Sequence, residues 1–380
     1  MRLPASPLDL RALLLALGAL VPNAVLYVTT GDLVFVHAGI LTIACLIVAE
    51  RVHGSFAVMG AYAALTAALA VAFYVALANP FLFVGLVCVT GFVSVAAFPG
   101  KTRSFGNYLF LVALYLACET HGGAQGMIAS SERGPAAPMQ GLEDLLLLLA
   151  CSPLGIVGVA VSLVLQDGAQ GWRSLRTLPE KRLFAALSPM VNGPSPKTSA
   201  TPTAWRPMPA DLQEGLVRAL AVLLAAAHVE IVGATYGQWA IWSAASVASI
   251  DYEAANAKAR TRAVGAVVGV ALGFAASFAL PATAMVYSLS VLAIMLSLVA
   301  VRQYGLAFAL RSGFVALAAI AAAEGYAAGV FRIENVIVGG MIGFVVARIV
   351  GDLMRPRADR RTPEALSGEP AARSAPSKQE

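Results

Sequence analysis

Apolar stretches of bilayer-spanning length recur along almost the whole chain, and that recurrence constrains its fold more than any other feature. They lie near residues 10–29, 33–50, 55–78, 80–98, 104–119 and 144–166, and after a polar gap near 212–233, 237–250, 262–281, 283–301, 304–324 and 332–350. A helix crossing a bilayer takes about 20 such residues. Only 12% of the 380 residues are charged, about half the share in a soluble domain. The 59% that are hydrophobic must therefore face lipid as well as one another. The expected fold is an all-α polytopic membrane protein of about twelve transmembrane helices. The runs at 104 and 237 are short, which leaves eleven spans or a re-entrant segment as alternatives.

The basic residues give an orientation. With the runs taken as spans, 24 of the 26 Lys and Arg fall on one side, and Arg133 and Arg332 fall on the other. Cytoplasmic loops carry such an excess, so both termini are expected in the cytoplasm. The net charge of +5 does not point to nucleic acid, which would need basic residues clustered with aromatics on one face of a folded domain. The first run follows Arg2 and Arg11 without a cleavage site and a polar mature domain behind it, so it reads as a retained span.

Residues 167–210 carry seven prolines from Pro179 to Pro209 among Ser, Thr, Lys and Arg, too little apolar surface to order themselves. They are expected as a cytoplasmic linker between a six-helix half at 1–166 and a second at 211–354, with a disordered tail at 355–380. Within the linker, 179–187 has the makings of a short surface helix with Pro179 at its first position. The fifth run of each half opens similarly, with Arg103-Ser104-Phe105-Gly106 and Arg302-Gln303-Tyr304-Gly305. Six spans per half give both the same orientation, hence two parallel repeats with a substrate path expected between them.

Little classical chemistry is visible. Gly100-Lys101-Thr102 lacks the upstream glycine of a phosphate-binding loop, because Val95 stands there. The four cysteines, Cys45, Cys88, Cys118 and Cys151, read as small buried hydrophobes, with an outer-face disulfide between Cys118 and Cys151 as the alternative. No metal-ligand spacing and no cofactor motif occurs. Ionisable groups within spans are costly and so are functional candidates. His228 and Glu230 in the seventh run can be read as a proton carrier or as wet interfacial residues, and Asp32 with His37 admits the same two readings; Glu50, Arg51 and His53, at the cytoplasmic end of the second run, can be read as a gate ion pair or as a solvated loop. Trp239 and Trp242, beside Tyr236, share one helix face and can be read as an aromatic substrate platform or as an interfacial belt.

The most specific runs lie in the C-terminal half. Arg262 precedes Gly265 and Gly269, four apart as close helix packing requires, at the start of the ninth run. Arg332, Glu334 and Asn335 open the twelfth, followed by Gly339 and Gly340. Glu324 is placed to pair with Arg332. These runs resemble the fusaric acid resistance protein family, also described as the aromatic acid exporters, over about residues 212–352. In the N-terminal half the resemblance rests on topology and the one short repeat. It implies a multi-pass protein of the bacterial inner membrane that exports aromatic carboxylic acids or similar anions on the proton gradient, sometimes with a periplasmic adaptor. The extended cytoplasmic domain of larger members is missing here.

The leading expectation is therefore a secondary exporter in which Arg262, Arg332 and Arg302 offer positive charge to a small organic anion, and Glu230 or Glu334 carries the proton. The partners are the bilayer and that anion; a homo-oligomer and an adaptor are left open. One difficulty is that Arg262 and Arg332 are placed near opposite faces, too far apart for one small ligand. A passive anion channel and a membrane scaffold without transport are the alternatives. An enzyme would need a nucleophile with a base, or a His-acid cluster, and the four histidines are scattered.

Overall fold

The computed structural model describes residues 6–52, 55–98, 100–122, 137–176 and 210–354. Among these it is helical throughout, apart from one isolated bridge between Leu8 and Val301. Helices α1 (Leu10–Thr30), α2 (Val34–Val52), α3 (Phe56–Ala76), α4 (Pro80–Ala96) and α5 (Arg103–Gly122) are followed by α6 (Ala137–Ala150) and α7 (Ser152–Arg176). The C-terminal half contains α8 (Ala210–Val232), α9 (Gln238–Val247), α10 (Tyr252–Ser277), α11 (Ala284–Ser297), α12 (Tyr304–Ala321) and α13 (Ala327–Met354).

Local chemistry sets many of the boundaries. Asp9 caps α1 by accepting from the Ala12 amide at 3.2 Å, and Gly31 closes it at φ 73°, a left-handed conformation that suits glycine. Asn79 caps α4 ahead of Pro80 at its first position, and Asp251 and Thr283 cap α10 and α11. Among the described residues eight helical stretches are long and apolar enough to cross a membrane, and α4 and α11 are apolar but shorter. On α1, Leu10, Leu14, Leu17, Val21, Val25 and Val28 all face outward. A stripe of that kind is stable against hydrocarbon and not against water.

Several expected boundaries move. α9 has only 10 residues, about 15 Å of helix, half the hydrocarbon thickness; Gly233 and Tyr236, at φ 64° and 56°, turn the chain into it. α10 starts at Tyr252 and α13 at Ala327, so Arg262 and Arg332 lie inside helices and not at their starts. The run at 144–166 is divided between α6 and α7, and α7 continues to Arg176, into the stretch expected as linker, after a break at Gly168. The proposed surface helix at 179–187, His53, Arg133 and the 355–380 tail lie outside the described residues. Cys118 and Cys151 are both free thiols, so the disulfide alternative is not realised.

Glycines set the close approaches in the C-terminal half. A β-carbon at Gly269 would run into the Ala309 carbonyl oxygen, and one at Gly265 would press on Phe308, so α10 lies directly on α12. A β-carbon at Gly339 would strike the Ala240 carbonyl, seating α13 on α9, whereas Gly340 has more room beside Ser243. The same pairings recur in both halves. α1 packs on α2 and α7 as α8 packs on α9 and α13, and α3 packs on α5 as α10 packs on α12. Between the halves α8 runs along α4, where Gly91 receives Val222, while α2 meets α11 and α5 meets α9. One continuous apolar core joins them.

Candidate functional site

A cavity of about 340 Å³ lies between the halves. The N-terminal half supplies a largely apolar wall, including Ile40, Ile43 and Ile47 of α2 and Tyr108 and Leu111 of α5; α9 to α13 supply most of the rest. Three arginines of the C-terminal half, Arg262 of α10, Arg311 of α12 and Arg332 of α13, reach into it around one ring. Their guanidinium carbons stand 4.4, 5.9 and 5.8 Å from the centre of Phe308. The Gly265 and Gly269 approach described above brings Arg262 to that ring.

The three are held differently. Arg262 donates to Ser243 Oγ at 3.2 Å and to Tyr304 Oη at 3.1 Å, and Ser243 is itself anchored on the Val336 carbonyl at 2.7 Å. Arg332 lies 4.8 Å over the Trp239 ring, which stacks on Tyr236 at 4.6 Å and 9°. Neither Arg311 nor Arg332 has an ion pair or a side-chain hydrogen bond among the described residues, and the Nε atoms of both are buried without a partner. Arg332 is only 5% exposed. Buried charges are normally paired, so this end of the cavity carries positive charge that the protein does not neutralise by direct contact.

The other end is acidic. Glu119, in the last turn of α5, and Glu324, between α12 and α13, both line the cavity. Glu324 accepts from Tyr236 Oη at 2.7 Å, so Tyr236 links the acidic end to Trp239 and, through it, to Arg332. Burial raises the Glu324 carboxyl above the usual carboxylate range, against the opposing effect of that hydrogen bond. Nearby, His37 Nε2 and Tyr287 Oη are 2.6 Å apart, and Tyr287 also lines the cavity.

The structure brings Arg262 and Arg332 together, correcting the expectation that they lie near opposite faces. Each opens its apolar run in the sequence, but the helices begin earlier, at Tyr252 and Ala327, so both arginines lie inside them. Trp239 and Trp242 line the same cavity. Glu324 bonds to Tyr236 and not to Arg332. Arg302 is outside the cavity and pairs with Asp9 at 3.1 Å. Asn335 donates to the Thr235 carbonyl at 2.8 Å and holds the turn into α9. Glu334 is exposed on the far side of α13, and His228 and Glu230 near the end of α8 do not line the cavity. Glu50 and Arg51 are exposed at the end of α2, where Arg51 donates to Ser104 Oγ at 3.1 Å. Sequence reasoning missed Arg311, Phe308, Tyr304 and Glu119. Arg311 is one of the 24 basic residues of the cytoplasmic side, although its position inside the apolar run 304–324 marks it as an intramembrane ionisable residue.

No curated protein and no solved structure matches the chain. Residues 220–346 match the family model described as fusaric acid resistance protein-like, a range that includes Arg262, Arg311 and Arg332. Within this multi-pass membrane protein, it is therefore the segment 220–346 that is similar to the fusaric acid resistance protein-like family.

Proposed function

We propose that the protein is a secondary transporter of the bacterial inner membrane that exports aromatic carboxylates or similar organic anions on the proton gradient. The observation that carries this reading is the convergence of three guanidiniums on Phe308, without a carboxylate partner, in a cavity walled by both halves. A carboxylate entering there gains charge-assisted hydrogen bonds and relieves the mutual repulsion of the arginines. The flanking Phe308, Trp239 and Tyr108 suit a planar apolar body.

In this mechanism Arg262, Arg311 and Arg332 bind the anion, and Glu119 or Glu324 holds the coupling proton in place of Glu230 and Glu334, which the cavity does not include. Tyr236 and Trp239 transmit the state of Glu324 to Arg332. Two parallel halves with both termini cytoplasmic rock about the cavity, in keeping with the recurring helix pairings. The first test is efflux of a panel of aromatic and aliphatic carboxylates from cells with and without the protein, with the gradient intact or collapsed by a protonophore. Efflux that needs both protein and gradient supports the reading. Efflux that needs the protein alone makes it a channel, and no efflux of any compound makes a scaffold the better account.

A further inference from the structure

Two ion-pair clasps join the halves at equivalent places. Arg103 opens α5 and holds Asp211 at 2.8 Å and Glu214 at 2.7 Å, both near the start of α8. Arg302 stands just before α12 and holds Asp9, the cap of α1, at 3.1 Å. α5 and α12 are the fifth helices of their halves, and α1 and α8 the first. Each arginine thus crosses from the fifth helix of one half to the first helix of the other. The two also head the repeated runs Arg103-Ser104-Phe105-Gly106 and Arg302-Gln303-Tyr304-Gly305, so sequence repeat and spatial repeat coincide.

The Arg302 clasp has a backbone component as well. The Asp9 amide donates to the Ala300 carbonyl at 2.7 Å and the Arg302 amide to the Pro7 carbonyl at 2.9 Å, around the bridge between Leu8 and Val301. The clasped helices are those that wall the cavity: α5 carries Tyr108 and Leu111, and α12 carries Tyr304, Phe308 and Arg311. Tyr304, two residues beyond Arg302, receives a hydrogen bond from Arg262. A movement at either clasp therefore moves a cavity wall.

A third ion pair supplies the contrast. Arg11 holds Asp167 at 3.2 Å, but it ties α1 to α7 within one half. Exposed ion pairs are individually weak and reversible, which suits a closure that must reopen in each cycle and is poorly suited to permanent fastening. We propose that Arg103 and Arg302 are a symmetry-related pair of gate residues, which close the two halves over the end of the cavity where α1, α5, α8 and α12 begin. Their role as a gate rests on the transport reading; the closure itself does not.

The test uses the full-length protein in inside-out vesicles, with a cysteine introduced by Val315→Cys on the cavity wall and a membrane-impermeant maleimide as the probe. Protein without the added cysteine gives the background. Arg302→Glu should raise the labelling rate about threefold, the population shift expected of one exposed ion pair, and Arg103→Glu, which removes two pairs, at least about threefold. The exchange Asp9→Arg with Arg302→Glu should restore it, and Arg11→Glu should leave it unchanged. Unchanged labelling in either gate variant overturns the proposal. So does an equal rise in Arg11→Glu, or a rise that the exchange does not reverse, since both would mean general loosening. Labelling reads closure whether or not an anion is carried, so a normal gate response without anion flux would count against the transport reading alone.

Discussion

Arg332 shows how a residue's surroundings decide its role. It is 5% exposed, has no carboxylate partner among the described residues and lies 4.8 Å over Trp239. A buried guanidinium so placed costs the fold stability, which an anion bound as proposed would return. Arg332→Gln should therefore weaken binding of benzoate to the purified protein by at least about tenfold, or about 1.4 kcal/mol, by calorimetry. Lysine should not restore it, because a point charge cannot replace the planar fork and its stacking on Trp239. Glu324 supplies a pH signature. Its carboxyl is raised by burial, so the folded state binds its proton more tightly than the unfolded state does, and its contribution to stability falls as pH rises through the raised value. Glu324→Gln should melt at a higher temperature than wild type at pH 8, with the difference shrinking at pH 4.5; equal melting at both would show that the carboxyl is not held in that state. At the other exposed extreme, the Ala12 amide and then the Arg302 guanidinium hold Asp9 below the usual carboxylate range, so its clasp stays ionised at neutral pH.

At the scale of elements, the glycine spacing was legible in sequence but its neighbours were not. Gly265 and Gly269 announced a close helix contact, and the structure shows α12 as the partner. Gly269→Val places side-chain atoms against the Ala309 carbonyl and should destabilise the protein by about 1–3 kcal/mol or more, read as a lowered melting temperature. A wild-type melting curve would mean that α10 and α12 lie farther apart. Hydropathy also placed most of the helices, because long apolar runs leave few alternatives. It failed where charge lies inside a helix. Arg218, Arg262 and Arg311 fall within the apolar runs yet count with the basic residues of the cytoplasmic side; each lies in a helix, and Arg218 is buried beside Asn107 and Phe110. For the same reason the cavity was invisible: Arg311 and Glu119 are recognisable as a site only once α5 and α12 face each other.

On the scale of the whole molecule, the two halves contribute different chemistry to the cavity. The C-terminal half, which contains the segment matched by the family model, supplies all three cavity arginines, while the N-terminal half supplies Glu119 and an apolar wall. Neither half encloses the cavity alone, and the contact of α8 with α4 and the two clasps hold them in register. The repeated Arg-headed runs were the sequence trace of that arrangement, although four residues do not disclose which helices they join. The most direct measurement is uptake of radiolabelled benzoate into proteoliposomes containing purified protein, with an imposed pH gradient, for wild type, Arg262→Gln and Arg332→Gln. The account predicts uptake that follows the gradient in wild type and falls at least about tenfold in both variants. Uptake no greater than in protein-free liposomes, or unaffected by either substitution, would contradict it.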